Sequence, residues 1–308
     1  MELDKRNLFV ILFFIYLSFE IGIRFFDTNL SRNIKQIKEI PDVSKEIFKS
    51  SQAEKDTILF LGNSLTGRAV NLEQFETVLK NNRINHYAAY KVVPDSTSIW
   101  DWYCIVKNNF FIEGYAPDFL VIGVAWEREK PIPSRLGTHF CGISDLDDLI
   151  GLGMNNSSEI LEYLVASASK LYSLREPIRN RFLDLIIPYY QVETQKINEV
   201  GNLNSKIKSK KAVEGKSARL HIYSEFIEML KVQNITPVFV AMPLLEEYIL
   251  DERLTNLIIE KGGYYLDYRK LDGLQKSMFV DPIHLSEQGS LIFTRMIGRD
   301  LQGIVDND

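Results

Sequence analysis

Phe119–Ala125 reads F-L-V-I-G-V-A and Thr236–Met242 reads T-P-V-F-V-A-M. A strand with one wet face alternates apolar and polar residues. A run that is apolar at nearly every position suits a strand covered on both faces, as in a parallel sheet. Shorter β-leaning runs lie at Thr57–Leu61, Tyr87–Val93 and Gly263–Tyr268. Between them, apolar residues fall at helical spacing. Asn71–Asn82 carries Leu72, Phe75, Val78 and Leu79, and Ser96–Asn109 sets Ile99, Trp102, Tyr103 and Val106 on one side. Ser217–Val232, Leu245–Lys261 and Leu285–Leu301 read as further helices. The last has Ser286 as N-cap and Glu287 in its first turn, where an acid suits the helix dipole. Strands separated by helices predict an α/β fold: a mainly parallel sheet with helices on both faces, over residues 56–308.

The alternation breaks over residues 127–212, a long insertion with a helical stretch at Ser158–Leu174, where Ile160, Leu161, Leu164, Ala168 and Leu171 are in register. It ends in N-S-K-I-K-S-K-K, read as a solvated loop, with a polybasic lipid contact as the alternative. No internal repeat or low-complexity segment is present.

The N-terminus departs most in composition. From Leu8 the chain runs L-F-V-I-L-F-F-I-Y-L-S-F before Glu20 and Arg24. With those two charges included, the stretch reaches the roughly 20 residues that span a bilayer as a helix. Glu20 and Arg24 are four apart and share a helix face. A cleaved signal peptide needs a small-residue site after the run, and Ile21–Phe26 is bulky. A soluble amphipathic helix needs a polar face, which the run lacks. The expectation is an uncleaved membrane anchor over 1–28, followed by a polar stalk or membrane-proximal helix over 29–55, broken near Pro41. Lys5 and Arg6 precede the run but Arg24, Arg32, Lys35 and Lys38 follow it, so the positive-inside count alone would not place the N-terminus in the cytoplasm.

The net charge of -5 argues against a nucleic-acid partner, which calls for clustered Lys and Arg. Cys104 and Cys141 match no metal motif, and no cofactor or metal is implied. They read as two unpaired, semi-buried thiols, with one disulfide as the alternative if the domain lies outside the cytoplasm.

Ligands of open parallel sheets bind beyond the carboxyl ends of the strands. That rule singles out Gly62-Asn63-Ser64, Pro94-Asp95-Ser96, Trp126-Glu127, Pro243-Leu244, and the segment M-F-V-D-P-I-H-L with Asp281 and His284. A hydroxyl becomes a nucleophile when a base takes its proton, and the base works best when a third group orients it. Ser64, His284 and Asp281 supply that set. Each alone has an innocent reading, as a loop serine or a capping histidine; what counts is their pairing at the first and last strand ends.

At these residues the sequence resembles the SGNH hydrolases, also called the GDSL esterase and lipase family. G-N-S-L-T-G after I-L-F-L is similar to the family's first block, and D-P-I-H-L-S-E-Q-G-S to its last. The resemblance covers roughly Asp56–Leu301, interrupted by the insertion. It implies a flavodoxin-like three-layer α/β/α fold and ester hydrolysis or acyl transfer through an acyl-enzyme. Ser64 would be nucleophile, His284 base and Asp281 the orienting carboxylate. Asn63 stands where the name-giving motif has Asp. The family's oxyanion donors are the nucleophile's own N–H, a second-block Gly and a third-block Asn. Here Ser64 supplies the first, Asp95 or Ser96 stands at the second, and V-I-G-V-A-W-E offers no Asn for the third. Losing one such donor costs about 3 kcal/mol of transition-state stabilisation.

The layout is similar to that of bacterial envelope members with one N-terminal helix. This analogy places the domain outside the cytoplasm, in the periplasm or at the cell surface, and makes an ester-bearing carbohydrate the expected substrate. Asn63, Trp126 and His139 are candidate substrate contacts. Trp100, Trp102 and Tyr103 could stack on sugar rings, although packing in the core is the preferred reading for most of these aromatics. A non-catalytic SGNH-like surface module that binds polysaccharide or scaffolds an export complex is the alternative. A nucleotide binder is disfavoured, because the first turn has neither a P-loop lysine nor G-x-G-x-x-G.

Overall fold

A computed structural model describes residues 5–30, 32–81, 86–111, 115–125, 137–187 and 218–305. Five strands, β1 Asp56–Leu61, β2 Tyr87–Val92, β3 Phe119–Val124, β4 Thr236–Ala241 and β5 Tyr264–Asp267, form one sheet in the order β2-β1-β3-β4-β5. Every pairing is parallel. This is the flavodoxin-like strand order, with its topological switch between β1 and β3. The first helices in chain order are α1 Lys5–Leu30, α2 Arg32–Gln52, α3 Ser64–Ala69, α4 Leu72–Asn81, α5 Ile99–Val106, α6 Gly137–Phe140 and α7 Leu146–Gly151. They are followed by α8 Ser157–Ala168, α9 Lys170–Ser173, α10 Arg175–Ile186, α11 Ala218–Val232, α12 Glu252–Glu260 and α13 Glu287–Val305.

The chain divides into two compact units. One comprises Gln36–Asn156 and Ala218–Asp308 and contains the whole sheet. Its layers follow from the period of two along each strand. Ile58, Phe60, Val121, Val238 and Val240 point to one face and meet Phe75 and Leu79 of α4 and Phe293 and Ile297 of α13. Phe60 and Phe75 pack edge to face, ring centres 4.9 Å apart. The alternate residues, Leu59, Leu61, Leu120, Ile122 and Phe239, are equally buried. On that side the Tyr223 ring of α11 lies 5.9 Å from Phe239. The sequence runs are apolar at every position because both faces are covered.

α2 runs through Pro41 without a break. Ile40 and Ile47 of this helix are buried. Tyr90 of β2 donates to Glu46 O at 3.0 Å, its hydroxyl lies 2.6 Å from Ser50 Oγ, and the tilted rings of Phe48 and Tyr115 have centres 4.7 Å apart. Residues 36–52, expected as part of a stalk, therefore lie against the sheet unit.

Cys104 and Cys141 form a disulfide, Cα–Cα 5.2 Å, closing a loop of 37 residues. This corrects the preferred reading of two thiols. Their separation in sequence concealed that residues 137–154 fold back onto α5. The same contact buries Asp145, which accepts from Lys107 Nζ at 2.9 Å, Asn108 Nδ2 at 2.9 Å and Gly142 N at 2.6 Å. Lys107 and Asn108 belong to a π-helical turn, Lys107–Phe111, that extends α5.

Helix boundaries depart from periodicity in this unit: the expected helix over Ser96–Asn109 starts at Ile99, behind the cap Ser98. The expected helix from Leu245 starts only at Glu252, where Asp251 caps it by accepting from Arg253 N. Residues 245–250 are held by specific polar contacts instead: Leu245 N donates to Pro282 O at 3.1 Å and Tyr248 Oη to Met242 O at 2.8 Å.

The second unit comprises Met1–Lys35 and Ser157–Ser217. Within α1, Arg6–Phe25 is 20 residues long with a mean hydropathy of 2.1, long and apolar enough to cross a membrane. The expected helix over 158–174 is interrupted at Ser169, whose hydroxyl accepts from Tyr172 N at 3.1 Å and so caps α9. The buried face of α8 is Tyr163 and Ala166, while Leu161 and Ala168, expected on a packed face, are exposed. The lysine-rich run at 204–211 lies outside the described residues.

Candidate active site

Ser64 opens α3 directly beyond the carboxyl end of β1, beside the switch point. A chain leaving a buried strand for a helix needs a cap, and Asn63 provides it. Its Oδ1 accepts from Leu65 N at 3.0 Å while its Nδ2 donates to Thr97 O at 3.2 Å. Both polar atoms of Asn63 are thus engaged inside the chain, as cap and tether. Gly62 and Gly123 are small for a local reason. A Cβ on either would lie 2.1 or 2.0 Å from Thr66 Oγ1, so α3 sits directly on the ends of β1 and β3.

His284 arrives from the segment between β5 and α13, on a turn that Asp281 closes. Asp281 Oδ1 accepts from Ile283 N at 2.8 Å and from His284 N at 2.9 Å. The turn is clamped further by Val280 N to His284 O at 3.0 Å and Ser286 N to Met278 O at 2.8 Å. The other oxygen, Asp281 Oδ2, lies 2.7 Å from His284 Nδ1, and His284 Nε2 lies 2.9 Å from Ser64 Oγ. A carboxylate only accepts, so Nδ1 carries the proton and Nε2 faces the serine hydroxyl as an acceptor. Burial pushes the Asp281 carboxyl up, but the bond to His284 and the two N–H groups outweigh it, leaving the group below the ordinary carboxyl value of 3.8. Asp281 is therefore ionised at neutral pH.

The two halves of this site are 220 residues apart in sequence and are locked together behind it. Ala69 O, at the end of α3, accepts from Ser290 Oγ at 3.0 Å and Thr294 Oγ1 at 3.1 Å of α13, and Asn71 N donates to Thr294 Oγ1 at 3.0 Å. Sequence reasoning missed these two hydroxyls. Their signal was present: two small polar residues four apart on the otherwise apolar, buried stripe of α13 with Phe293 and Ile297.

The loop after β2 is laced to the same region. Thr97 Oγ1 lies 2.7 Å from Pro94 O and 3.1 Å from Gly62 O and accepts from Trp102 Nε1 at 3.0 Å. Trp100 and Trp102 are buried, so neither offers a face to a sugar. Tyr103 is half-buried beside Phe226. Ser96 adopts φ 61°, the left-handed region that favours glycine. The residue standing where the resemblance expects Gly has taken the glycine conformation. Asp95 beside it is half-buried. The Ser64 N–H, in the first turn of α3, has no acceptor within its own helix. His139 sits in α6, next to the disulfide, and is not part of the Ser64–His284–Asp281 chain. Trp126 lies outside the described residues.

Fold and site together define a class: a flavodoxin-like α/β chain with a serine, a histidine and a carboxylate in hydrogen-bonded series at the carboxyl edge of its sheet. No protein-family model and no curated relative matches the sequence. Among solved structures, the chain is similar to the acetyl xylan esterase AlAXEase at 14% identity, covering 81% of this chain and 99% of that one, with a TM-score of 0.40. It is also similar to a catalytic mutant of Axe2, an acetylxylan esterase from Geobacillus stearothermophilus, at 10% identity, 80% and 94% coverage and a TM-score of 0.43. LAE5, an alpha/beta hydrolase enzyme from the metagenome of Lake Arreo, matches at 10% identity, 80% and 95% coverage and a TM-score of 0.40. Likenesses this distant carry no functional argument; the side chains have to.

Proposed function

We propose that this chain is a membrane-anchored serine esterase or O-acyl transferase acting on an ester of a cell-envelope carbohydrate. The observation that carries the reading is the series Ser64 Oγ, His284 Nε2, His284 Nδ1, Asp281 Oδ2, at 2.9 and 2.7 Å. His284 removes the Ser64 proton as Oγ attacks the acyl carbonyl carbon, and the ionised Asp281 steadies the imidazolium that forms. The carbonyl oxygen gains charge in the tetrahedral intermediate. The Ser64 and Ser96 N–H groups are its proposed donors. His284 then protonates the departing alcohol oxygen, leaving the acyl group on Ser64. Water or a second hydroxyl, deprotonated by the same imidazole, releases it.

The setting is read from two features. Arg6–Phe25 is apolar over a bilayer's length, which supports a single-pass anchor. The Cys104–Cys141 bond supports an oxidising compartment, and so an extracytoplasmic domain. The test is labelling of the folded chain by a fluorophosphonate, with Ser64→Ala as control. Labelling that Ser64→Ala abolishes is expected; a folded wild-type chain that never labels sinks the proposal. One observation favours a second reading, a non-catalytic glycan-binding module: a carboxylate, Asp95, adjoins the proposed oxyanion position. Glycan binding that survives Ser64→Ala, with no turnover of any acyl ester, would select it.

A further inference from the structure

Glu20 is the one acid within the apolar span Arg6–Phe25, and it is not idle. It is 7% exposed although the helix around it is largely bare. Oε1 accepts from Lys170 N at 2.7 Å and Arg24 Nη2 at 3.1 Å; Oε2 accepts from Leu171 N at 3.0 Å and Ser169 Oγ at 2.9 Å. One turn earlier, Tyr16 Oη donates to the same Ser169 hydroxyl at 2.7 Å. Tyr16, Glu20 and Arg24 are spaced by four and form one polar stripe on α1. That stripe is the dock for the Ser169–Leu171 turn of the insertion.

The dock has a depth. Glu20 is five residues before the end of the span at Phe25, about 7.5 Å at 1.5 Å per residue. Helices that lie in a membrane interface sink about 5–10 Å into the headgroup–acyl boundary. Backbone N–H groups at that depth need an internal acceptor, and Glu20 is one for Lys170 and Leu171. The helices on either side of the docked turn carry bare apolar faces. On α8 these are Leu161 and Val165, four apart; on α10 they are Phe182, Leu185 and Ile186, with Leu185 at 86% exposure. α10 buries none of its residues. Such faces in water would be an unusual cost, whereas next to a spanning helix they continue its lipid-facing surface.

We infer that α8–α10 form an interfacial membrane element, with the apolar faces of α8 and α10 seated in the lipid leaflet that receives the C-terminal end of α1. The inference rests on the reading of α1 as a membrane span. The occupant of these faces is lipid, and the docked Ser169–Leu171 turn sets the depth at which they meet it.

The two cysteines are paired, so a single introduced cysteine can carry a fluorophore in the full chain. The chain is reconstituted in vesicles of equal parts phosphatidylcholine and phosphatidylglycerol and labelled in turn at Leu185→Cys, Phe14→Cys and Ile259→Cys. Quenching is read against brominated lipids and aqueous iodide. The expected result is loss of fluorescence to brominated lipid at 185 and 14, with a shallower bromine position most effective at 185, and loss to iodide alone at 259. Lipid quenching at 14 with iodide quenching alone at 185 overturns the inference and leaves the anchor standing. No lipid quenching at 14 fails the anchor reading, and this inference with it. A label at 185 shielded from both quenchers means that protein, such as a second copy of this chain, covers the face, and that also overturns it.

Discussion

At Asp281 one carboxylate performs two tasks with two oxygens: Oδ1 fixes the turn through two backbone N–H groups, and Oδ2 orients the imidazole. The tasks separate on substitution. Asp281→Asn keeps an oxygen for the turn but loses the charge that steadies the imidazolium. Its activity on a soluble acyl ester should fall by about 10³–10⁴ in kcat with KM little changed. A matching drop in the rate of fluorophosphonate labelling, with an unaltered far-ultraviolet spectrum, checks this. Ser96 offers the opposite case. Its φ of 61° costs a non-glycine residue about 1–2 kcal/mol. Ser96→Gly removes the strain and keeps the N–H, so the urea midpoint should rise by the equivalent of about 1 kcal/mol with activity retained. A stabilised but inactive Ser96→Gly chain would assign the needed group to the side chain instead. The three catalytic candidates were legible because Ser64 follows directly on an apolar strand run and Asp281 and His284 stand three apart just before the last helix. The residues that hold them together were not. Thr97, Ser290 and Thr294 are common hydroxyls whose importance comes from partners outside their own element: Gly62 and Asn63 for Thr97, and Ala69, more than 200 residues away, for Ser290 and Thr294.

Among the elements, β1, β3 and β4 were the most legible, because burial on both faces leaves almost no polar residue to mark a boundary wrongly. Helix ends were less so. Periodicity carried Leu245–Lys261 and Ser158–Leu174 as single helices, and side-chain caps at Asp251 and Ser169 cut them. Such caps win because they satisfy the orphan donors of a first turn at a place of their own choosing. Gly123 sits inside the apolar run of β3, yet it is where α3 comes to rest. A Cβ there would lie 2.0 Å from Thr66 Oγ1 and 3.0 Å from Met242 Sδ. Gly123→Ala should therefore cost about 1–3 kcal/mol through overpacking and slow fluorophosphonate labelling, because α3 carries Ser64. Adding Thr66→Ala removes the colliding oxygen and should restore both the urea midpoint and much of the labelling rate. No recovery in the double variant would mean that the glycine serves the strand and not the seat of α3. The disulfide belongs to this scale as well. Closing a 37-residue loop is worth about 4 kcal/mol in the chain-entropy account, and it fastens residues 137–154 to α5 together with the Lys107–Asp145 pair. The double variant Cys104→Ser/Cys141→Ser should lose stability of that order in urea while leaving the Ser64–His284 pairing, and so labelling below the transition, intact.

For the whole molecule, two questions remain physical: how it responds to acid, and on which side of a membrane it works. Burial raises the carboxyl of Asp145, but Lys107, Asn108 and the Gly142 N–H bring it below 3.8, and Asp281 is lowered in the same way. Both folded values lie beneath the unfolded ones. Their stabilisation is thus complete above the unfolded value and is lost as pH falls through the folded value. The urea midpoint should be level from neutral pH down to about 5 and drop below about 4, less steeply in Asp145→Asn. On the charge count, Arg24, Arg32, Lys35 and Lys38 after the apolar run outnumber Lys5 and Arg6 before it. The short-loop positive-inside count would put the sheet unit in the cytoplasm. The Cys104–Cys141 bond argues the other way, because cytosolic thiols are kept reduced. The two arguments give opposite results in one measurement. In a bacterial host, the full chain with Ile259→Cys, an exposed position outside the disulfide, is treated in intact cells with a membrane-impermeant maleimide and then denatured in excess alkylating agent. An extracytoplasmic domain takes up the maleimide at position 259 and shows Cys104 and Cys141 unalkylated until a reductant is added. A cytoplasmic one reverses both readings, with no maleimide before lysis and two alkylated native thiols, and that pair of results would move the proposed chemistry away from the envelope.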